Sequence, residues 1–333
     1  MESIIPKVSI IVLTYNQEST IRRTLDSILM QKCDFKFEIV IGDDASNDNT
    51  PKICMEYYHK YPDIIKFIHN DHNKGVVRNY YDCIIACRGE YVADCAGDDY
   101  WVTDTKLQKQ YDILKNEPLV SIVHTNWMYE NVISKELTPQ DKAFDKTEYQ
   151  QPRINGRILL KAYLQRKAPV LVHSCTYMFR KSCLLERYRK DQTFFVSTEW
   201  TCEDVSAICA LLASGDAAFI PEVTMHYSIG GKTLSSAENY SKTFDFYYGA
   251  ILHNHYIATA LNINQSELKN YYTTSLHYIL MQAIHSFDKK RRNKCIKLIS
   301  SYKFPIKLKT RLAIILTCNS LLWHIFNTLN NRI

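Results

Sequence analysis

The first apolar run, Val8-Ser9-Ile10-Ile11-Val12-Leu13, is rich in β-branched side chains and too short for a helix. A run like this predicts a strand covered on both faces in a parallel sheet. It gives way to the polar turn Thr14-Tyr15-Asn16-Gln17, after which Ile21, Leu25, Ile28 and Leu29 recur at helical spacing. A second strand pattern, Phe37-Glu38-Ile39-Val40-Ile41, runs into Gly42-Asp43-Asp44. The helix after it opens with Thr50 as the expected N-cap and Pro51 at the first helical position. A third strand is predicted over 64–68, a helix over 76–87 that stops before Gly89, and a fourth strand that ends in Gly97-Asp98-Asp99. Strands alternating with helices at this spacing imply an α/β fold, a mostly parallel sheet with helices on both faces.

The pattern continues with a helix over 104–115, a strand over 119–128, a polar loop over 130–151, a helix over 154–166 and a strand over 170–179. A helix over 203–214 closes at Gly215, a short strand follows over 217–220, and from about residue 239 the spacing is helical throughout. No internal repeat is present. The expected organisation is one α/β domain over 1–238, with halves meeting near 128, and a helical C-terminal region over 239–333.

Composition places the chain among ordinary folded proteins, with 46% hydrophobic and 23% charged residues. The N-terminal residues lack the basic and apolar regions of a signal peptide, so a cytoplasmic protein is expected. Eleven cysteines include no Cys-x-x-Cys pair and read as small buried hydrophobes in a reducing compartment. Neither Gly-x-Gly-x-x-Gly nor Gly-x-x-x-x-Gly-Lys-Ser/Thr occurs, which argues against a dinucleotide dehydrogenase and a P-loop nucleotidase. The net charge of +6 is unevenly spread: residues 289–333 hold eleven Lys or Arg and no acid, and the rest holds 30 bases against 35 acids.

Asp43-Asp44 and Asp98-Asp99 each lie where a predicted strand runs out. Ligands of open α/β sheets bind beyond the carboxyl ends of the strands. Carboxylates there suit a hydroxyl-rich ring, or a divalent cation that in turn holds phosphates. Two such pairs suggest a nucleotide-sugar site. Each pair also suits a helix cap, although Asp104 is better placed to cap the helix after Asp98-Asp99. Glu203-Asp204 equally suits a helix N-terminus through its dipole.

The ordered series Val8–Asn16, Asp43-Asp44-Ala45-Ser46-Asn47-Asp48-Asn49-Thr50 and Asn73-Lys74-Gly75-Val76-Val77-Arg78-Asn79 resembles inverting glycosyltransferases of family 2. Gly97-Asp98-Asp99-Tyr100-Trp101 followed by Lys106-Leu107-Gln108-Lys109-Gln110 is similar to one bacterial branch that builds surface polysaccharide. The resemblance covers about residues 6–235 and implies the GT-A fold, a Rossmann-like nucleotide half joined to an acceptor half. By resemblance, Asp44 accepts a hydrogen bond from a nucleobase, Thr14, Tyr15 and Asn16 line the nucleotide, and Arg78 contacts base or phosphate. Asp98 and Asp99 match the second half of the Asp-x-Asp element that holds Mg²⁺ or Mn²⁺ against the donor diphosphate, with either as main ligand. Asp204, in Glu199-Trp200-Thr201-Cys202-Glu203-Asp204, matches the general base.

Two departures stand out. Ala96 replaces the first acid of Asp-x-Asp, and Tyr227-Ser228-Ile229-Gly230 replaces the family's Tyr-Arg-x-His, so any role of that Arg or His is lost or falls to His226.

The expected partners are a nucleotide-diphosphate sugar and a lipid-linked or growing glycan acceptor, at the inner face of the plasma membrane. A sugar nucleotidyltransferase is the first competitor, but Thr14-Tyr15-Asn16-Gln17-Glu18 stands where its Gly-rich basic loop belongs. A non-catalytic sugar-nucleotide or glycan-binding protein is the second. In the tail, Thr317, Ser320, His324, Asn327 and Asn331 form a polar stripe opposite Leu, Ile, Trp and Phe. That stripe suits a helix lying in an anionic membrane surface, a packed helix, or a dimer surface. Nucleic acid is not an expected partner, because no reading motif accompanies the basic residues.

Overall fold

The structure is a computed structural model that describes residues 5–140, 146–167, 171–230 and 239–330. The first unit opens with β1 (Val8–Thr14), α1 (Ile21–Leu29), β2 (Phe37–Asp43), α2 (Thr50–Lys60), β3 (Ile65–His69), α3 (Val76–Ala86) and β4 (Tyr91–Asp94). It continues with β5 (Tyr100–Trp101), α4 (Lys106–Asn116), β6 (Val120–Asn131), β7 (Leu137–Pro139), α5 (Gly156–Leu164), β8 (Met178–Arg180), α6 (Lys181–Lys190), α7 (Asp204–Ser214) and β9 (Asp216–Ile229). Among the described residues these strands form one sheet in the order β3-β2-β1-β4-β8-β6-β9-β5, with β7 paired to β6.

The first four strands in that order are parallel, as the apolar runs predict: β1 lies between β2 and β4, in register Thr14 to Asp43 and Ile11 to Asp94. Six of the seven β1 residues are buried, which is why the run carries no alternation. The second half is mixed. β8 is antiparallel to both β4 and β6, whereas β6 and β9 run parallel over most of their length. The strand expected over 170–179 is therefore only β8; a 3-10 turn at Ser174–Thr176 precedes it, and residues 168–170 lie outside the described set. The predicted loop over 130–151 begins as strand, because β6 continues to Asn131 and pairs with β7; residues 141–145 of that loop are also outside the described set.

Two capping expectations are corrected. Thr50 is the first helical residue of α2, preceded by Asn49, and its Oγ1 accepts a hydrogen bond from Gln17 N at 2.8 Å. Asp104 does not cap α4, whose N-cap is Thr105; its carboxylate pairs with Lys32 at 2.7 Å.

Among the described residues, a second compact unit comprises 164–166, 199–201 and 239–330. It is helical, as the spacing predicts: α8 (Tyr240–Ala260), α9 (Lys269–His285), α10 (Lys289–Tyr302), α11 (Leu308–Leu316) and α12 (Ser320–Asn330). Trp200 stacks on His253 with ring centres 4.4 Å apart, and Asn254 Nδ2 donates to Leu164 O at 3.1 Å. No described helix is long and apolar enough to cross a membrane.

Candidate active site

The adjacency of β1, β2 and β4 brings the three predicted strand-end motifs together. The ladder persists past the strands: Asp44 N donates to Thr14 O at 3.0 Å, Cys95 N to Ile11 O at 3.0 Å and Gly97 N to Leu13 O at 2.9 Å. A Cβ at Gly97 would crowd Leu13 O at 3.0 Å and displace the Gln17 side-chain oxygen, 2.3 Å away. Both Asp pairs thus converge on the end of β1.

The loop after β1 and the loop after β2 are tied side to side. Asn16, in the left-handed region at φ 54°, donates from its N to Ser46 Oγ and accepts from Asn47 N on Oδ1, both at 2.8 Å. Glu18 N donates to Asp48, and Asn49 N donates to Glu18. Asn16 therefore ties the two strand-end loops into one floor, while Tyr15 beside it stands 45% exposed.

Asp43 and Asp44 divide the work. Asp43 is fully buried and accepts from Ser46 N and from His69 Nδ1, the latter at 2.7 Å, so it holds the turn. Asp44 accepts from Asn70 Nδ2 (3.0 Å) and Lys74 N (2.9 Å) on Oδ1, and from Gly75 N (2.9 Å) on Oδ2. A carboxylate offers about four acceptor directions. Three are taken, and no second donor meets Asp44 Oδ2 among the described residues. Arg78, on the first turn of α3, pairs with Asp82 at 2.9 Å and is half exposed.

Neither member of the second pair is a helix cap. Asp99 is buried, and its Oδ1 accepts from Ser228 N at 2.9 Å. Asp99 Oδ2 and Thr14 Oγ1 are buried without a hydrogen-bond partner among the described residues. Burial pushes the Asp98 carboxyl above its ordinary range; it pushes that of Asp99 well above it, with Asp98 adding to the rise. A bound cation would reverse both shifts. Mg²⁺ takes one or two carboxylates together with phosphate oxygens and waters, and Asp98 with the orphan Asp99 Oδ2 meets that requirement. Ala96 adds no ligand, and no cluster of three or more His, Cys, Asp or Glu suited to a metal occurs among the described residues.

Arg23, Glu130 and Ser228 were not legible in the sequence. Arg23 Nη1 pairs with Glu130 at 2.7 Å, its Nη2 donates to Asp98 O (3.3 Å) and Ser228 Oγ (3.2 Å), and its guanidinium lies 4.0 Å from the Tyr100 ring centre. Ser228 Oγ donates to Asp98 O at 2.6 Å. The residue that departs from the family pattern is thus the one that clasps the Asp98-Asp99 turn. His226 bonds Tyr100 Oη through Nδ1 at 2.8 Å. The one available signal was positional: Ser228 falls where the ordered series expects a functional Arg.

Beneath the turn, Trp101 is buried and Lys106 lies with its Nζ 4.4 Å from the Trp101 ring centre. Lys106 Nζ donates to Gln110 Oε1 at 2.8 Å, and Gln110 Nε2 donates to Val123 O and Thr176 O. Burial lowers the Lys106 ammonium to about 7. The Lys106–Gln110 segment supports the turn from inside.

Asp204 is the first residue of α7, and Tyr81 Oη donates to Glu203 O at 2.9 Å, anchoring that helix start to α3. Glu203 makes no side-chain cap hydrogen bond. Burial, and next the charge of Asp204, raise the Asp94 carboxyl at the end of β4 to about 7. The base candidate therefore lies within electrostatic reach of the strand-end cluster. Burial, with the Asp204 charge second, also raises Glu203 from 4.5 to about 8. The folded chain then holds a proton that the unfolded chain releases near pH 4.5, so this group costs stability as pH rises from about 4.5 to about 8. Glu203→Gln is expected to melt above the parent at pH 8, with a gap that closes toward pH 4.5 and stays constant above pH 8. Scanning calorimetry across that range would show it, and a gap independent of pH would count against the assignment.

Residues 9–184 match the model of the family described as Glycosyl transferase family 2. The dTDP-rhamnosyl transferase RfbG of Shigella flexneri is 29% identical over 197 residues, 58% of this chain and 60% of that protein. The chain spans about a third of the length of the first curated relatives it matches, 33%. Among solved structures, S. aureus TarS 1–349 in complex with UDP-GlcNAc superposes with a TM-score of 0.55 at 18% identity, covering 89% of this chain and 91% of that one. The mannosyltransferase PcManGT of Pyrobaculum calidifontis, in complex with GDP-Man and Mn²⁺, gives 0.54 at 16% identity, covering 98% and 88%. These likenesses show the fold, the α/β arrangement of GT-A enzymes.

Proposed function

Because the chain belongs to glycosyl transferase family 2, we propose that it is an inverting, metal-dependent glycosyltransferase. It moves a sugar from a nucleotide-diphosphate donor to a hydroxyl of a lipid-linked or growing surface glycan, in the cytoplasm at the inner face of the plasma membrane. The observation that carries this reading is the convergence of Asp44, Asp98 and Asp99 on the end of β1, with Asp204 in reach of the same strand ends. The donors bound by TarS and PcManGT, and the Mn²⁺ in the latter, support it.

In this reading Asp44 takes an N–H of the nucleobase on Oδ2, and Thr14 Oγ1 and Tyr15 line the nucleoside. The clasp made by Asn16 keeps that floor rigid. Arg78 exchanges its Asp82 partner for base or phosphate. Asp98 and Asp99 would hold Mg²⁺ or Mn²⁺, which when bound would supply a Lewis acid against the charge of the diphosphate leaving group. Arg23 and Ser228 fix the turn that aims both carboxylates. Asp204 removes the proton of the acceptor hydroxyl as its oxygen bonds to the anomeric carbon. The bond from that carbon to the diphosphate oxygen breaks on the opposite face, so the configuration inverts.

The test is release of nucleoside diphosphate by the purified chain from a panel of UDP-, GDP- and dTDP-sugars with Mg²⁺ or Mn²⁺, and with EDTA. Cation-dependent release from one donor is expected. Donor binding without turnover, with or without added glycan acceptors, would instead favour a sugar-nucleotide-binding protein. Pyrophosphorolysis of the donor would favour a nucleotidyltransferase.

A further inference from the structure

Helix α11 is turned inside out for a helix on a protein surface. Its inward positions are the small residues Thr310 and Ala313, followed by Thr317 at its C-cap, all buried. Thr310 Oγ1 meets His277 Nδ1 at 3.1 Å, and Thr317 Oγ1 accepts from Arg292 Nε at 2.7 Å. Its large aliphatics face out: Leu308 is 73% exposed, Leu312 50% and Ile315 64%. At about 100° per residue these three share one narrow sector of the helix, with Arg311 on one flank and Lys309 on the other. Both bases are exposed, as are Lys303 and Lys307 just before the helix.

Helix α12 also presents aliphatic side chains to solvent. Trp323 is buried and donates from Nε1 to Ile284 O at 3.1 Å, while Leu321, Leu322 and Ile325 stand 67%, 43% and 47% exposed. The single polar stripe expected across Thr317, Ser320, His324, Asn327 and Asn331 is not formed among the described residues, because α11 and α12 are separate helices and Thr317 is inside; the Asn327 side chain and Asn331 lie outside the described set.

We propose that the outward faces of α11 and α12 dock on an anionic lipid bilayer, the aliphatic side chains entering the headgroup boundary and the flanking bases meeting lipid phosphates. Charge selects this occupant. No Asp or Glu occurs from 289 to the end of the chain, so two copies meeting through this face would bring like charges together, whereas anionic lipid neutralises them. Neither helix is long enough to cross, which leaves them in the plane of the interface. The surface stands independently of the donor chemistry.

The full chain would be sedimented with phosphatidylcholine vesicles lacking or containing phosphatidylglycerol. Binding about tenfold tighter or more to the phosphatidylglycerol vesicles is expected, fading at high salt. The combined variant Leu308→Gln, Leu312→Gln, Ile315→Gln is expected to lose about tenfold or more of that binding with an unchanged melting temperature. A second variant, Lys307→Gln, Lys309→Gln, Arg311→Gln, is expected to lose the preference for phosphatidylglycerol. Parent-like vesicle binding by the first variant would overturn the proposal. So would a first variant that only dissociates an oligomer in light scattering, which would assign the face to a second copy of the chain. Vesicle binding is read without sugar transfer, so this proposal and the enzymatic one can fail separately.

Discussion

Asp204→Asn is expected to lower kcat for sugar transfer by about 10²–10⁴-fold while donor affinity stays within about threefold. The substitution keeps the size and hydrogen-bonding reach of the side chain and removes only its capacity to take a proton. Asp204 opens α7, where Tyr81 anchors the helix through Glu203 O, so the variant retains its backbone position. Burial keeps the neighbouring Glu203 protonated to about pH 8, and Asp94 to about 7. Glu203 is therefore no equivalent spare base at neutral pH, whereas Asp94 is half ionised there but stays buried on β4. Steady-state transfer kinetics together with calorimetric titration of the donor separate the two effects. Transfer that persists within tenfold of the parent would remove Asp204 from the base role.

Asp98→Asn is expected to reduce cation-dependent donor turnover by about a hundredfold or more, with little change in melting temperature. The Asp98 side chain takes no part in the clasp: Arg23 and Ser228 grip its backbone carbonyl instead. Asp99 differs. Its Oδ1 receives Ser228 N, so Asp99→Ala leaves that buried donor unpaired and is expected to lower both turnover and stability, the latter by about 1–3 kcal/mol. Comparing the two variants for turnover against Mn²⁺ concentration and for thermal midpoint would separate the ligand from the positioning residue. Equal stability losses in both would show that the pair is architectural.

Much of the nucleotide half was legible because its signals are local. The Val8–Leu13 run, the strand ending at Asp43-Asp44 and the helix after Gly75 each declare themselves within a few residues. The mixed half was less so. β8 contributes only three residues between two long neighbours, and its antiparallel direction comes from its partners rather than from its own pattern. Asp104 shows the same limit at small scale: its position before a helix suits a cap, yet Lys32, distant in sequence, takes its carboxylate.

By itself the sequence determined the order of strands and helices and the carboxylates at the strand ends, because hydrophobic periodicity and chain order are carried by neighbouring residues. The tertiary structure decided which groups those carboxylates meet. Arg23, Glu130 and Ser228 join across as many as 205 positions in the chain. Three acceptor directions of Asp44 are taken only because Asn70, Lys74 and Gly75 fold over it. The tail carries the same lesson in reverse. Amphipathic spacing shows that α11 has two faces, but only packing against Arg292 and His277 reveals that the small polar face is the covered one. Contacts between distant segments are chosen by the burial and pairing of the whole chain, and no local pattern records them.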